Sequence, residues 1–122
     1  MSDFLTISNA NELIRIPAES LVYIASEGNY SDIHTRNGQR RTVTMQLGVI
    51  EELIDKQLKE SKRTFVRIGR SLIVNLHFVH YVQPARQQLI LSDGHTFQIT
   101  TEASKEALKK LRDFFDNELK RQ

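Results

Sequence analysis

The stretch of this chain whose residue types and spacing best suit a chemical task is Phe65-Val66-Arg67-Ile68-Gly69-Arg70-Ser71-Leu72-Ile73-Val74-Asn75. Two arginines three apart bracket a glycine and are followed by a hydroxyl, with apolar, strand-prone residues on both sides. A short connection anchored by two strands can aim both guanidinium groups at one polyanionic backbone. The Ser71 hydroxyl and its peptide N–H would then be additional phosphate donors. The alternative for the same residues is a solvated loop. Asn75, after a buried-type strand, is assigned to structure, because the turn there needs side-chain hydrogen bonds.

Other chemistries lack a constellation. His77 and His80 are three apart, so on an extended strand they face opposite sides, and no cysteine or nearby carboxylate joins them as a third ligand. Ser71 sits in no Gly-x-Ser-x-Gly elbow and has no assignable base. The pairs Glu51/Glu52 and Asp113/Asp116 lie on helical stretches that read as solvated faces. The few glycines form neither a Walker loop nor a dinucleotide fingerprint. With no cysteine in the chain, a disulfide framework, an iron–sulfur cluster and a thiol nucleophile are all excluded. The expectation is a protein that is not an enzyme, with no cofactor, metal or small-molecule substrate.

Charge is more informative by position than by total. The formal net charge is +2, yet the window from Ile33 to Ile50 carries +3 (Arg36, Arg40, Arg41). The window from Ser61 to Ser92 carries +5 (Lys62, Arg63, Arg67, Arg70, Arg86), neither window holds an acid, and the remainder is at −6. Arginine dominates both windows, and its forked donors suit phosphate and guanine edges. This uneven distribution predicts a local phosphate-facing surface.

The elements that must carry these groups are mostly short strands. Phe4 to Ser8 and Glu12 to Ile16 alternate, with Pro17 expected to interrupt pairing. Leu21 to Ala25 reads as a strand buried on both faces, followed by a polar turn at Ser26-Glu27-Gly28-Asn29. Asn37-Gly38 joins Tyr30 to Arg36 and Gln39 to Val43 as a hairpin. Thr44 is the expected N-cap of a short helix with Leu47, Val49, Ile50, Leu53, Ile54 and Leu58 on its core face. Strands follow at Phe65 to Ile68, Leu72 to Val74, Val79 to Val82 and Gln88 to Leu91, and Asp93-Gly94 turns into Thr96 to Thr100. A final helix from Ala103 to Leu119 carries Ala107, Leu108, Leu111, Phe114, Phe115 and Leu119 on one stripe, to pack on the sheet or on a partner.

The segments Leu21 to Tyr30, Phe65 to Asn75 and Leu89 to Gly94, in that order and separation, closely resemble the LytTR family of bacterial DNA-binding domains, the output module of many response regulators. The resemblance runs from about Ile14 to Leu111. It implies a mainly β fold of short antiparallel sheets in an elongated arrangement, with one short internal helix and a C-terminal helix. It also implies that loops, rather than a recognition helix, enter successive major grooves of double-stranded DNA roughly 34 Å apart and bend it.

By position, the resemblance implies three contact segments. The first is Asn29-Tyr30-Ser31, with a base contact at about Tyr30. The second is the Arg67 to Ser71 turn, with Arg70 reading a base and Arg67 and Ser71 on the phosphates. The third lies at the start of the last helix around Thr101, where many members have an arginine. Here Thr101-Glu102 departs from that pattern, and Lys105 one turn on is the candidate phosphate contact.

At 122 residues, 39% hydrophobic and 26% charged, the chain is expected to be one domain over 1–122. No apolar run approaches a membrane span, and Met1-Ser2-Asp3-Phe4 lacks the features of a signal peptide, so a cytoplasmic protein is expected. No receiver domain with its phosphoacceptor is seen, so input is expected from elsewhere: the alternatives are an excised output domain, or a stand-alone regulator controlled by expression, by a partner or by dimerisation through the Phe114 and Phe115 stripe, with a homodimer on direct repeats as one arrangement. The runner-up reading is a protein-interaction or ligand-sensing module on the same fold, favoured by the missing arginine at Thr101.

Overall fold

Strand β3 (Leu21–Glu27) is the centre of the molecule, and its first four residues are all buried, as a continuous apolar run requires. Leu21 and Ile24 enter one hydrophobic cluster and Val22 and Tyr23 the other. Pairing with the next strand slips between Leu21↔Thr35 and Tyr23↔His34, a bulge that accommodates two successive side chains on one face. The computed structural model describes residues 3–121, so Met1-Ser2 and Gln122, the ends of the expected 1–122 domain, lie outside the described residues.

Around β3 the chain forms a five-stranded antiparallel sheet in the order β5-β4-β3-β7-β6, with β4 at Tyr30–Thr35, β5 at Arg40–Val43, β6 at Phe65–Ile68 and β7 at Leu72–Asn75. One face is covered by the hairpin of β1 (Phe4–Ser8) and β2 (Leu13–Pro17) and by helix α1 (Leu47–Gln57), which buries Leu47, Ile50 and Ile54. The Gln57 amide closes the edge of β1, accepting from the Thr6 N–H at 2.7 Å and donating to its carbonyl at 3.0 Å. The other face is covered by a three-stranded sheet, order β10-β9-β8, made from β8 (Val79–Gln83), β9 (Gln88–Ser92) and β10 (Gln98–Glu102). Helix α2 (Lys105–Lys120) packs there through Ala107, Leu108 and Leu111. The architecture is therefore mainly β, in three antiparallel sheets with one internal and one C-terminal helix, as expected. Among the described residues, no helix is long and apolar enough to cross a membrane.

Several boundaries differ from expectation: β3 runs on to Glu27, so Ser26 and Glu27 are strand rather than turn, β10 runs on to Glu102, and four further differences have a local cause. Pro17 does not stop β2 short, since it is the last residue of the strand and pairs with Phe4. A proline at the end of an edge strand removes no required ladder bond. The N-cap of α1 is Gln46, without a side-chain cap, rather than Thr44. Strand β10 begins at Gln98 rather than Thr96 because Asp93 accepts the backbone N–H groups of His95, Thr96 and Phe97 and so prolongs the turn. Helix α2 begins at Lys105, with the Ser104 hydroxyl accepting the Ala107 N–H at 3.1 Å.

Candidate nucleic-acid interface

Strands β6 and β7 are joined by Gly69-Arg70-Ser71, closed by the pair Ile68↔Leu72. Gly69 has φ +72°, a backbone that side chains with a Cβ rarely adopt, and a Cβ placed there would lie 3.5 Å from that of Ala107 on α2. Glycine thus lets the loop turn tightly against the first turn of α2. The loop is tied to β3 by the Ser26 N–H, which donates to the Ser71 carbonyl at 2.9 Å. Arg70 and Ser71 are exposed, and the Arg70 guanidinium has no ion pair or hydrogen bond among the described residues. Arg67 differs. Its guanidinium is a third exposed, donates to Glu51 Oε1 at 3.2 Å and donates to the Arg70 carbonyl at 2.9 Å.

The antiparallel register puts the first contact segment at the same end of the sheet. Ala25 faces Leu72 and Glu27 faces Tyr30, so the Gly28-Asn29 turn and the Gly69–Ser71 loop project from adjacent strand ends. Asn29 and Tyr30 are exposed, Tyr30 by 51%. Ser31 is not available for contact: it is 1% exposed, and its hydroxyl donates to the Met45 carbonyl at 2.7 Å. Strand alternation is the reason, because Tyr30 faces outward and its neighbour must face the core. Ser31 instead fastens the turn to the approach into α1. Gln46, at the uncapped start of α1, donates its amide to Asn29 Oδ1 at 3.4 Å and is also exposed. Sequence reasoning overlooked Gln46; the signal for it was the β4–β5 hairpin, whose register returns Val43 to Ser31 and so brings the following residues to this end.

The third segment reaches the same neighbourhood by a different route. Thr101 is not at a helix start but in β10, opposite Leu89, and its hydroxyl hydrogen-bonds the Tyr23 phenol. Burial pushes that phenol above its ordinary pKa, so it stays neutral and the bond ties β10 to β3. Past Thr101, the chain from Glu102 to Ser104 lines a concavity together with Ser26 and Gly69-Arg70-Ser71. Lys105 is exposed at the first position of α2, with Glu102 and Glu106 exposed beside it. Three of the sequence-predicted segments are therefore assembled at one end, and Ser31, Arg67 and Thr101 within them already have protein partners.

The first basic window does not join this surface. Arg36 follows β4 at the opposite end of the sheet, pairs with Asp93 Oδ2 at 3.1 Å and lies over the Phe78 ring. Asp93 is held well below the usual carboxylate range, chiefly by the Thr96 hydroxyl and then by three backbone N–H groups. Arg40 and Arg41 pair in β5 with His34 and Ile33, on the way to that far end. Lys62, before β6, is also remote from Arg70 and pairs with Asp55 at 3.6 Å. The charge asymmetry along the sequence is thus divided between two ends of the fold.

The LytTr DNA-binding domain family matches residues 11–116. The sensory transduction protein LytT of Bacillus subtilis (strain 168) is 29% identical over 110 residues, which are 88% of this chain and 42% of that protein. The chain therefore spans less than half the length of this relative. In fold it is similar to the LytTr DNA-binding domain of a methyl-accepting/DNA response regulator from Bacillus cereus, with a TM-score of 0.62 at 18% identity, covering 94% of this chain and 98% of that one. With the family matched across most of its length and the fold reproduced, the chain belongs to the LytTR family of DNA-binding domains.

Proposed function

We propose that this domain binds double-stranded DNA with sequence preference, as the output part of a bacterial transcription regulator. Arg70 reads a base edge from the β6–β7 loop, and Asn29 and Tyr30 do so from the β3–β4 turn, the two loops lying side by side on adjacent strand ends and so reaching one major groove rather than successive ones. Ser71 and Lys105 contact phosphates, while Ser31 and Thr101 support their segments. The observation that carries the reading is the Arg70 guanidinium, exposed on a rigidly anchored loop with no described partner. A five-donor fork of that kind is matched to guanine O6/N7 or to phosphate.

The test is fluorescence anisotropy against a random-duplex pool at several salt concentrations, followed by selection and sequencing of the bound fraction. Enrichment of a short motif that disappears in Arg70→Ala is the expected result. With about 5 or 6 phosphate contacts, log affinity should fall against log salt with a slope of roughly −5. Absence of binding at low salt, or binding without any enriched motif, would favour an interaction module instead.

A further inference from the structure

Both reading loops are referenced to the same helix. The Asn29 carboxamide is bonded by Gln46 at the start of α1, and the Arg70 carbonyl is bonded by Arg67, whose other nitrogen pairs with Glu51 one turn into α1. A Cβ built on Gly48 would lie 3.7 Å from Arg67 Nη1, so the guanidinium lies along the first turn of that helix. Two of the five guanidinium donors are taken by a carbonyl and a carboxylate of its own chain, which fixes the plane of the group against α1.

We infer that Arg67 and Glu51 are positioning residues that hold the Arg70 loop against α1, and thereby set its spacing from the Asn29 turn, rather than members of the contact surface. The inference rests on the DNA-binding reading for its functional consequence, but its structural content is independent of DNA. It has a counterintuitive sign. Removing a carboxylate from a DNA-facing end ordinarily strengthens binding by reducing repulsion. Here the loss of Glu51 frees the guanidinium, unfastens the loop and weakens specific binding.

The comparison that decides it is Glu51→Gln against Glu52→Gln, because Glu52 is the adjacent exposed acid on the same helix. With the DNA motif selected by the wild type, Glu51→Gln should lose about 2- to 5-fold in specific affinity, the range set by one partly exposed ion pair, while Glu52→Gln binds equally or more tightly. Arg67→Lys is the second variant. Lysine retains the charge but cannot hold the carbonyl and the carboxylate with one planar fork, so specificity should fall with the salt slope unchanged. A phosphate contact at residue 67 would instead let Arg67→Lys bind normally and make Arg67→Gln lower the slope by about 1. That result, or equal tightening by both glutamine variants, overturns the inference. A readout without DNA runs alongside: amide exchange at Gly69, Arg70 and Ser71 should quicken in Glu51→Gln and not in Glu52→Gln. If the wild type selects no motif, the DNA reading fails and these exchange rates alone decide the brace; unchanged loop exchange in Glu51→Gln then overturns it.

Discussion

At the end of the five-stranded sheet where β3 turns into β4 and β6 into β7, Arg70 reaches solvent without a described partner, whereas at the opposite end Arg36 is held by Asp93 at 3.1 Å. Both arginines come from acid-free stretches of sequence and look equivalent there. Their difference arises from what the fold brings opposite them. Arg36 meets a carboxylate 57 positions away, itself saturated by Thr96 and three backbone amides, and the group locks the β4–β5 loop to the β9–β10 loop. The Arg70 guanidinium has no ion pair or hydrogen bond among the described residues, and its loop is fastened instead by backbone and by Arg67. An acid-free window identifies cations, but only the pairing identifies those that remain available to a partner.

The largest effect that separates the two ends should come from Asn75, at the far end of β7. It is buried, donates to the Leu21 carbonyl at 2.8 Å and accepts the His77 N–H at 3.0 Å. Asn75→Ala leaves the buried Leu21 carbonyl without this donor and the part-buried His77 N–H without its acceptor, and should destabilise by about 2–4 kcal/mol. Thermal melts should show the midpoint lowered by about 8 °C or more, with the selected DNA motif unchanged. A changed motif in a still-folded variant would mean that the far end also shapes the reading end.

Arg70→Ala is the converse. Specific affinity should drop by about 10- to 100-fold, about 1–3 kcal/mol, while the melting midpoint stays within experimental error, because the guanidinium has no hydrogen bond or ion pair among the described residues. If melting fell appreciably, Arg70 would resemble Arg36 after all, and the contrast would dissolve.

A smaller effect is expected in the pH dependence of Asp93. Its folded pKa lies below the unfolded value, so its contribution to stability is fully present above the ordinary carboxylate range and is lost as pH falls below that range toward the folded pKa. Asp93→Asn should therefore be less stable than the wild type at neutral pH, and the gap should narrow in acid below about pH 4. Melts of the two proteins from pH 7 to 2 test it; a gap independent of pH would show that geometry rather than charge supplies the lock.

The smallest expected effect is a null. Arg36→Ala should leave the slope of log affinity against log salt unaltered within about 0.3, since a paired arginine at the far end releases no counterion from DNA. A slope reduced by about 1 would place Arg36 on the phosphate backbone.

Much of this organisation was legible in the sequence. Glycines at 28 and 69 and the Asn37-Gly38 pair mark the hairpin loops, and the apolar runs between them mark the strands, because turn chemistry and alternation are local properties. The boundaries that escaped depend on where the rest of the chain lies, which the local pattern does not announce. The Asp93 carboxylate shifts the start of β10, the Gln46 start of α1 follows from where β5 delivers the chain, and Pro17 fits β2 because its pairing ends there. Of the candidate contact residues, Asn29, Tyr30, Arg70, Ser71 and Lys105 are exposed. Ser31 and Thr101 are turned to internal partners, as strand pleating and the neighbouring sheet dictate.

What the sequence determined by itself is the repertoire: which loops exist, which carry arginine, and membership in a family whose motifs run through those loops. Tertiary structure decided which of those side chains are free. Hydrogen bonds and ion pairs are short-ranged, so an arginine's availability depends on atoms within a few ångströms, and those atoms come from residues 16 positions away for Arg67 and 57 for Arg36. Spacing along the chain cannot encode that proximity until the sheet has closed.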